Sequence, residues 1–378
     1  MRPKQENIHL ALFLSRATPL TRWQQRGIYG REIAPYKALA QKLGKVSIIT
    51  SGGQGELNFR DDLTEIEILY NRWGLSPNLY SLLAPVLHRG KLSQATIFKT
   101  NQLDGAWTAI IAGRLLHKPV IARAGYLWAS NFKRTNPGLK SKAINQIESF
   151  SIQNASAIIV TTVEMMKFLV KKYAINRRNI FVSPNYVDVN LFRPMGDISR
   201  FQGRVCFVGR LSVEKNLSLL IEAVSGLQGV SLQLIGDGLE RDELQKMAAS
   251  QKLNAVFSGL LPHEKLPEQI NQAEIFILPS KFEGHPKALI EAMSCGAAVI
   301  GTNVEGVRDV IRHLETGFLC EPDPDSIRAA IQELRSNPQL RSELGANARQ
   351  FALENYALDR IVEQEIGIYQ TVIDRYAA

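Results

Sequence analysis

The chain has 378 residues, about two and a half times a common domain length, with 45% hydrophobic, 21% charged and 8% aromatic side chains. This ordinary globular composition excludes a disordered, collagen-like or repeat-array protein and points to two domains. Lys+Arg number 45 against 36 Asp+Glu, but the excess sits in one half: residues 1–190 carry 26 basic and 11 acidic side chains (+15), and residues 191–378 carry 19 and 25 (−6), which sum to the net +9.

In chain order, short apolar runs at 8–14, 46–50, 66–70, 95–98, 120–122, 157–160 and 180–182 predict strands, with helical periodicity between them at 31–43 and 104–117. The first run is too short for a bilayer, which needs roughly 20 residues. Glu6 in its basic flank and Arg16 just behind it argue against a signal peptide and for a buried first strand. Pro184, Pro194 and Gly196, followed by the polar stretch 197–203, break the pattern. A second series follows, with strands at 204–208, 231–235, 255–257, 274–278 and 298–301 and helices at 217–224, 240–250 and 288–295; the chain closes in helices at 338–356 and 358–376. Strands alternating with helices mean parallel sheets with right-handed crossovers. The expected class is therefore α/β, two doubly wound Rossmann-like domains: an N-terminal domain over 1–190, a linker over 191–203, a second domain over 204–355, and a helix over 356–378 packing back on the first. Two such sheets facing one another provide an interdomain cleft for a ligand.

Neither first strand is followed by G-x-G-x-x-G, and no G-x-x-x-x-G-K-[ST] loop occurs, so a dehydrogenase and a P-loop enzyme fit poorly. Gly27 and Gly30 lie near the first strand–helix junction and read singly as turn residues. The basic residues Lys133, Arg134, Lys140 and Lys142, with Leu127, Trp128 and Phe132 as an apolar edge, suit either a solvated surface or an anionic membrane leaflet. Nucleic acid is disfavoured, because no basic ladder interleaved with aromatics and no zinc-finger spacing occurs. Cys206, Cys295 and Cys320 lack metal spacing and read as buried reduced thiols of a cytoplasmic protein. His9, His88, His117 and His313 read as structural, and the single D-x-D, Asp323 and Asp325, as a helix cap.

Three stretches of the second half carry chemistry. In 208–216, Gly209 turns the backbone at a strand end and Arg210 and Lys215 supply a guanidinium fork and a point charge suited to a diphosphate. Gly236-Asp-Gly238 with Glu240 is a weaker signal, since Asp-Gly is common in such turns. In 279–293, Glu283 lies in a loop, Pro286 near a helix start and Glu291 inside an apolar helix. The helix start favours a phosphate and the two carboxylates suit sugar and ribose hydroxyls.

These motifs together resemble the retaining glycosyltransferases of family 4, which have the GT-B fold. Residues 184–194 resemble P-N-G-V-D-x-x-x-F-x-P, residues 208–216 resemble V-G-R-L-x-x-x-K-N, residues 257–259 resemble F-x-G, and Glu283 to Glu291 stand as E-x7-E within E-G-x-P-x-x-x-x-E-A-M. The resemblance implies transfer of a sugar from a UDP- or GDP-sugar to a glycan or lipid-linked acceptor, as in polysaccharide or glycolipid assembly. It places Arg210 and Lys215 on the donor diphosphate, Glu283 on the donor sugar and Glu291 on the ribose, with the backbone of Pro286 to Ala288 completing the phosphate site. Gly284, His285 and Lys287 belong to the same donor loop, and His285 and Lys287 occupy variable positions. Tyr186 replaces the family's usual Gly. Arg123, close to Tyr126, stands where many relatives carry a histidine, which places both with Gly27 and Gly30 on the acceptor or loop side. No cofactor or metal is expected, the leaving diphosphate being stabilised by Arg210, Lys215 and a helix start. The expected location is cytoplasmic, with peripheral attachment to the inner membrane face. The alternatives are a non-catalytic nucleotide-sugar binding protein and a GT-B nucleotide-sugar epimerase.

Overall fold

The structure is a computed structural model that describes residues 5–16, 18–125 and 139–378. The chain forms two compact units, Met1–Pro184 with Val362–Ala378, and Asn185–Ile361. In the first lie β1 (Gln5–Phe13), β2 (Leu43–Thr50), β3 (Ile66–Tyr70), β4 (Ile97–Thr100), β5 (Val120–Ala124), β6 (Ala157–Val160) and β7 (Ile180–Val182). They form a seven-stranded sheet in the order β3-β2-β1-β4-β5-β6-β7. The second unit holds β8 (Arg204–Val208), β9 (Ser231–Ile235), β10 (Ala255–Gly259), β11 (Ile275–Leu278), β12 (Ala298–Thr302) and β13 (Phe318–Cys320). Their order is β10-β9-β8-β11-β12-β13. All the pairings between these strands are parallel.

Parallel sheets are covered by helices on both faces, which is why β6, β11 and β12 are buried along their whole length, β6 and β11 as unbroken apolar runs. β4 and β5 are equally buried yet carry Lys99 and Arg123. Both cations reach Glu365 of the C-terminal helix Leu358–Ala377: Lys99 Nζ donates to Oε2, Arg123 Nη1 to Oε1 at 3.0 Å, and the Tyr369 hydroxyl to Oε2 at 2.6 Å. A buried charge has to be paired, so this helix from Val362 onward is an integral part of the first unit.

The expected boundaries at 190, 203 and 355 differ from those observed. Residues 191–203, read as a linker, belong to the second unit: Phe192 is fully buried in its core, Met195 N donates to Asn271 Oδ1 at 3.0 Å and Phe201 N to Gln272 O at 2.9 Å. The short β13, which pairs with β12, and the helices Pro324–Ser336 and Pro338–Tyr356 also belong to that unit. Cys206, Cys295 and Cys320 are buried and free.

Candidate functional site

In a doubly wound sheet, ligands bind beyond the carboxyl ends of the strands where the order reverses. In the second unit that point lies between β8 and β11. The loop after β8 carries Gly209, Arg210 and Lys215, and the loop after β11 carries Glu283, Gly284, His285 and Pro286. The fold therefore brings both motif stretches to one switch point.

Backbone packing sets the first loop. Gly236 has φ +136°, and a Cβ there would stand 1.8 Å from the Gly209 carbonyl oxygen; one on Gly238 would stand 2.1 Å from Leu211 O. Leu211 N donates to Asp237 O at 3.0 Å. Gly236-Asp-Gly238 thus acts through close packing of two loops. The turn Val213–Lys215 then carries the lysine, and Glu214 O accepts from Lys281 N at 2.9 Å, joining this loop to the one after β11.

That second loop is held from β12 as well. Thr302 Oγ1 donates to Ser280 O at 2.6 Å, and Glu283 N to Glu305 O at 3.0 Å. Gly306, at φ +82°, passes so close that a Cβ would meet Glu283 O at 2.3 Å. The Glu283 carboxylate accepts from Lys215 Nζ at 2.5 Å and from Ser280 Oγ at 2.6 Å, both on Oε1. Lysine has three donors, so this pair leaves capacity on the ammonium for an anion. Arg210 is exposed. Burial works to raise the pKa of neighbouring Glu214, but local hydrogen bonding and the charges of Arg210 and Lys215 outweigh it and hold the group below its ordinary value.

Pro286 precedes the helix Lys287–Ser294 as its N-cap without a side-chain cap, and the positive end of such a helix favours an anion. Lys287 and Ala288 are its first two residues. Lys287 Nζ lies 5.1 Å from the centroid of the buried Tyr186 ring, so the departure at 186 supports a cation at the start of the helix that follows the β11 loop. His285 is buried, its ring 5.3 Å from that of Tyr356, and its carbonyl accepts from Asn185 Nδ2 at 2.6 Å. Glu291 is 2% exposed; Oε1 pairs with His263 Nε2 at 2.9 Å, while Oε2 has no hydrogen-bond partner among the described residues. A buried carboxylate oxygen of that kind favours an incoming hydroxyl donor.

Sequence reasoning missed His263 and Ser280, which orient the two glutamates from positions 28 and 3 residues away. It also missed Glu56 in the first unit, fully buried, whose carboxylate accepts from Leu20 N and Thr21 N at 3.0 Å each and from Thr50 Oγ1 at 2.7 Å. No local signal marks it, because the helix start that it caps lies 36 residues upstream.

The first-unit candidates do not assemble in the same way. Gly27 turns the chain at φ +65° between the helices Leu20–Gln25 and Tyr29–Lys42, and Gly30 is a residue of the second helix rather than of a loop. Arg123 is 7% exposed and committed to Glu365. Tyr126, Leu127, Trp128, Phe132, Lys133 and Arg134 lie outside the described residues, as do the side chains of Lys140 and Lys142. Asp323 caps the helix Pro324–Ser336 by accepting from Ser326 N at 2.8 Å, and Asp325 pairs with Arg328. Among the described residues, no group of three or more His, Cys, Asp and Glu is arranged to hold a metal.

Residues 198–351 match the family of glycosyl transferases group 1, and residues 36–191 match Glycosyltransferase Family 4. The chain belongs to glycosyltransferase family 4. It is 24% identical over 347 residues to the MMP alpha-(1->4)-mannosyltransferase of Mycolicibacterium hassiacum, an alignment covering 85% of this glycosyltransferase and 82% of that relative. In fold it is similar to a sucrose-phosphate synthase from Thermosynechococcus elongatus (TM-score 0.80, 18% identity, 97% of this chain and 100% of that one). It is also similar to HepE of Anabaena, whose structure contains UDP-glucose (TM-score 0.76, 18% identity, 96% and 99%). The two parallel Rossmann-like sheets of this glycosyltransferase are those of the GT-B fold.

Proposed function

We propose that this glycosyltransferase moves a sugar from a UDP- or GDP-sugar to a glycan or lipid-linked acceptor, with retention at the anomeric carbon. The observation that carries the reading is the Lys215–Glu283 pair at the second unit's switch point, beside the uncapped start of a helix that also bears Glu291. An ammonium and a carboxylate in contact suit a ligand whose diphosphate adjoins a polyhydroxyl ring. Arg210 and Lys215 take the diphosphate with the first-turn amides after Pro286, and Glu283 takes the sugar hydroxyls. Glu291 receives the ribose through the oxygen that His263 leaves open. As the glycosidic bond breaks, negative charge grows on the leaving diphosphate, and fixed cations and amides stabilise it. In this reading that role falls to Arg210, Lys215 and the helix start rather than to a metal. The UDP-glucose in HepE supports a nucleotide-sugar donor.

The test is calorimetric titration with UDP and GDP, followed by a donor screen with membrane lipid extract and soluble glycans as acceptors and mass spectrometry of products. Nucleotide binding without any transfer product would favour a binding protein, and no binding of either nucleotide would overturn the reading.

A further inference from the structure

We infer that the helix Pro77–Leu87 is a membrane-docking element that lies on an anionic lipid leaflet. The helix carries no charged side chain. Tyr80, Ser81, Ala84 and Pro85 face inward and are buried. On the opposite side Leu79, Leu82, Leu83 and Val86 are 44%, 53%, 36% and 61% exposed. Their spacing of i, i+3, i+4 and i+7 aligns them in one stripe along the axis. Trp73, 37% exposed, stands just before the helix. A helix apolar on its solvent face as well as its core face marks an interaction surface.

The charge around the stripe identifies the partner. No acidic residue occurs between Glu67 and Asp104, and Arg72, Arg89 and Lys91 flank the helix at its two ends and are exposed. Arg72 holds its guanidinium 4.7 Å from the Trp73 ring centroid, an aromatic–cation pair suited to the headgroup level. Glu67 is itself met by Lys45 and Lys91 at 2.7 Å each. A two-fold contact with a second copy would set the same patch against itself and bring these cations together. Anionic headgroups complement them, while the acyl region accepts the leucines and valine. The use of such docking rests on the lipid-linked reading of the acceptor; the surface itself does not.

Co-sedimentation tests it, using phosphatidylcholine vesicles with and without phosphatidylglycerol. The full chain is expected to pellet with the anionic vesicles at low salt and to be released as salt rises. Leu82→Ser/Val86→Ser, both on the exposed face, should weaken binding by about tenfold or more. Arg72→Ser/Arg89→Ser should abolish the preference for anionic lipid. UDP titration of the same proteins should be unchanged, which keeps a failure of docking separate from a failure of the donor reading. Docking is overturned if the wild-type protein stays in the supernatant with anionic vesicles at low salt, or if Leu82→Ser/Val86→Ser pellets as the wild type does. A concentration-dependent dimer in sedimentation velocity that the same variant abolishes would overturn it too, by giving the stripe to a second copy.

Discussion

Lys215 and Glu283 stand 68 residues apart in sequence and 2.5 Å apart in the fold, so a change at either one acts on both. Arg210→Ala removes an exposed cation and should lower donor affinity and turnover by roughly 1.5–3 kcal/mol of charge-assisted contact. Lys215→Ala should cost at least as much, because it also frees Glu283. Steady-state kinetics at several donor concentrations checks this, and unchanged kinetics in both variants would remove the two cations from the site. The glutamates divide differently. Glu291→Gln should weaken binding of the free nucleoside diphosphate, since its open oxygen is assigned to the ribose. Glu283→Gln should chiefly lower turnover and sugar discrimination. Equal losses of nucleotide affinity in the two variants would refute that division.

At the scale of the element, the helix Pro77–Leu87 ends on His88, whose Nε2 pairs with the Tyr80 hydroxyl at 2.8 Å and whose ring packs 5.3 Å from that of Trp73. Burial, and then the charge of Arg72, push its pKa down from 6.5 to about 4, with Glu67 acting in the opposite sense. The folded state therefore refuses a proton that the unfolded chain accepts. The contribution is fully present above pH 6.5 and is lost as pH falls through the window down to about 4. Solvent around a partly exposed ring reduces the effect to roughly 1–2 kcal/mol. Thermal unfolding across that window should show the loss in wild type, and His88→Gln should flatten it. A wild-type Tm that is level from pH 6.5 to 4 contradicts the assignment.

For the whole molecule, the C-terminal segment is the decisive piece. Val362–Ala378 belongs to the unit that begins at the other end of the chain, and Glu365 is its buried anchor. Burial works against the Glu365 carboxylate, but Lys99 and Arg123 outweigh it and hold its pKa below the ordinary value. Glu365→Ala would leave two buried cations unpaired and should destabilise the first unit by about 3–5 kcal/mol. Denaturant unfolding measures this, with UDP titration of the second unit as the control expected to hold. A Glu365→Ala protein as stable as wild type would show that the three charges are not coupled.

The strands at 66–70, 157–160, 180–182, 204–208 and 231–235 were legible residue for residue, because each is a short, mostly apolar run set off from the helical periodicity on either side. The spacing of Glu283 and Glu291 was equally local: one loop and one helix, set by Pro286 at the helix entry. No local rule foretold that Lys215 pairs with Glu283, that His263 orients Glu291, or that Arg123 is occupied by a carboxylate 242 residues away. Periodicity is written into neighbouring residues by backbone geometry. The pairing of distant charges is decided only when chain closure brings strand ends and a returning helix together, where burial makes a partner obligatory. The sequence by itself thus determined two parallel sheets and the spacing of the motif residues in the loops after β8 and β11. The tertiary structure decided which of those residues meet, and made Arg123 one arm of the clamp on the C-terminal helix.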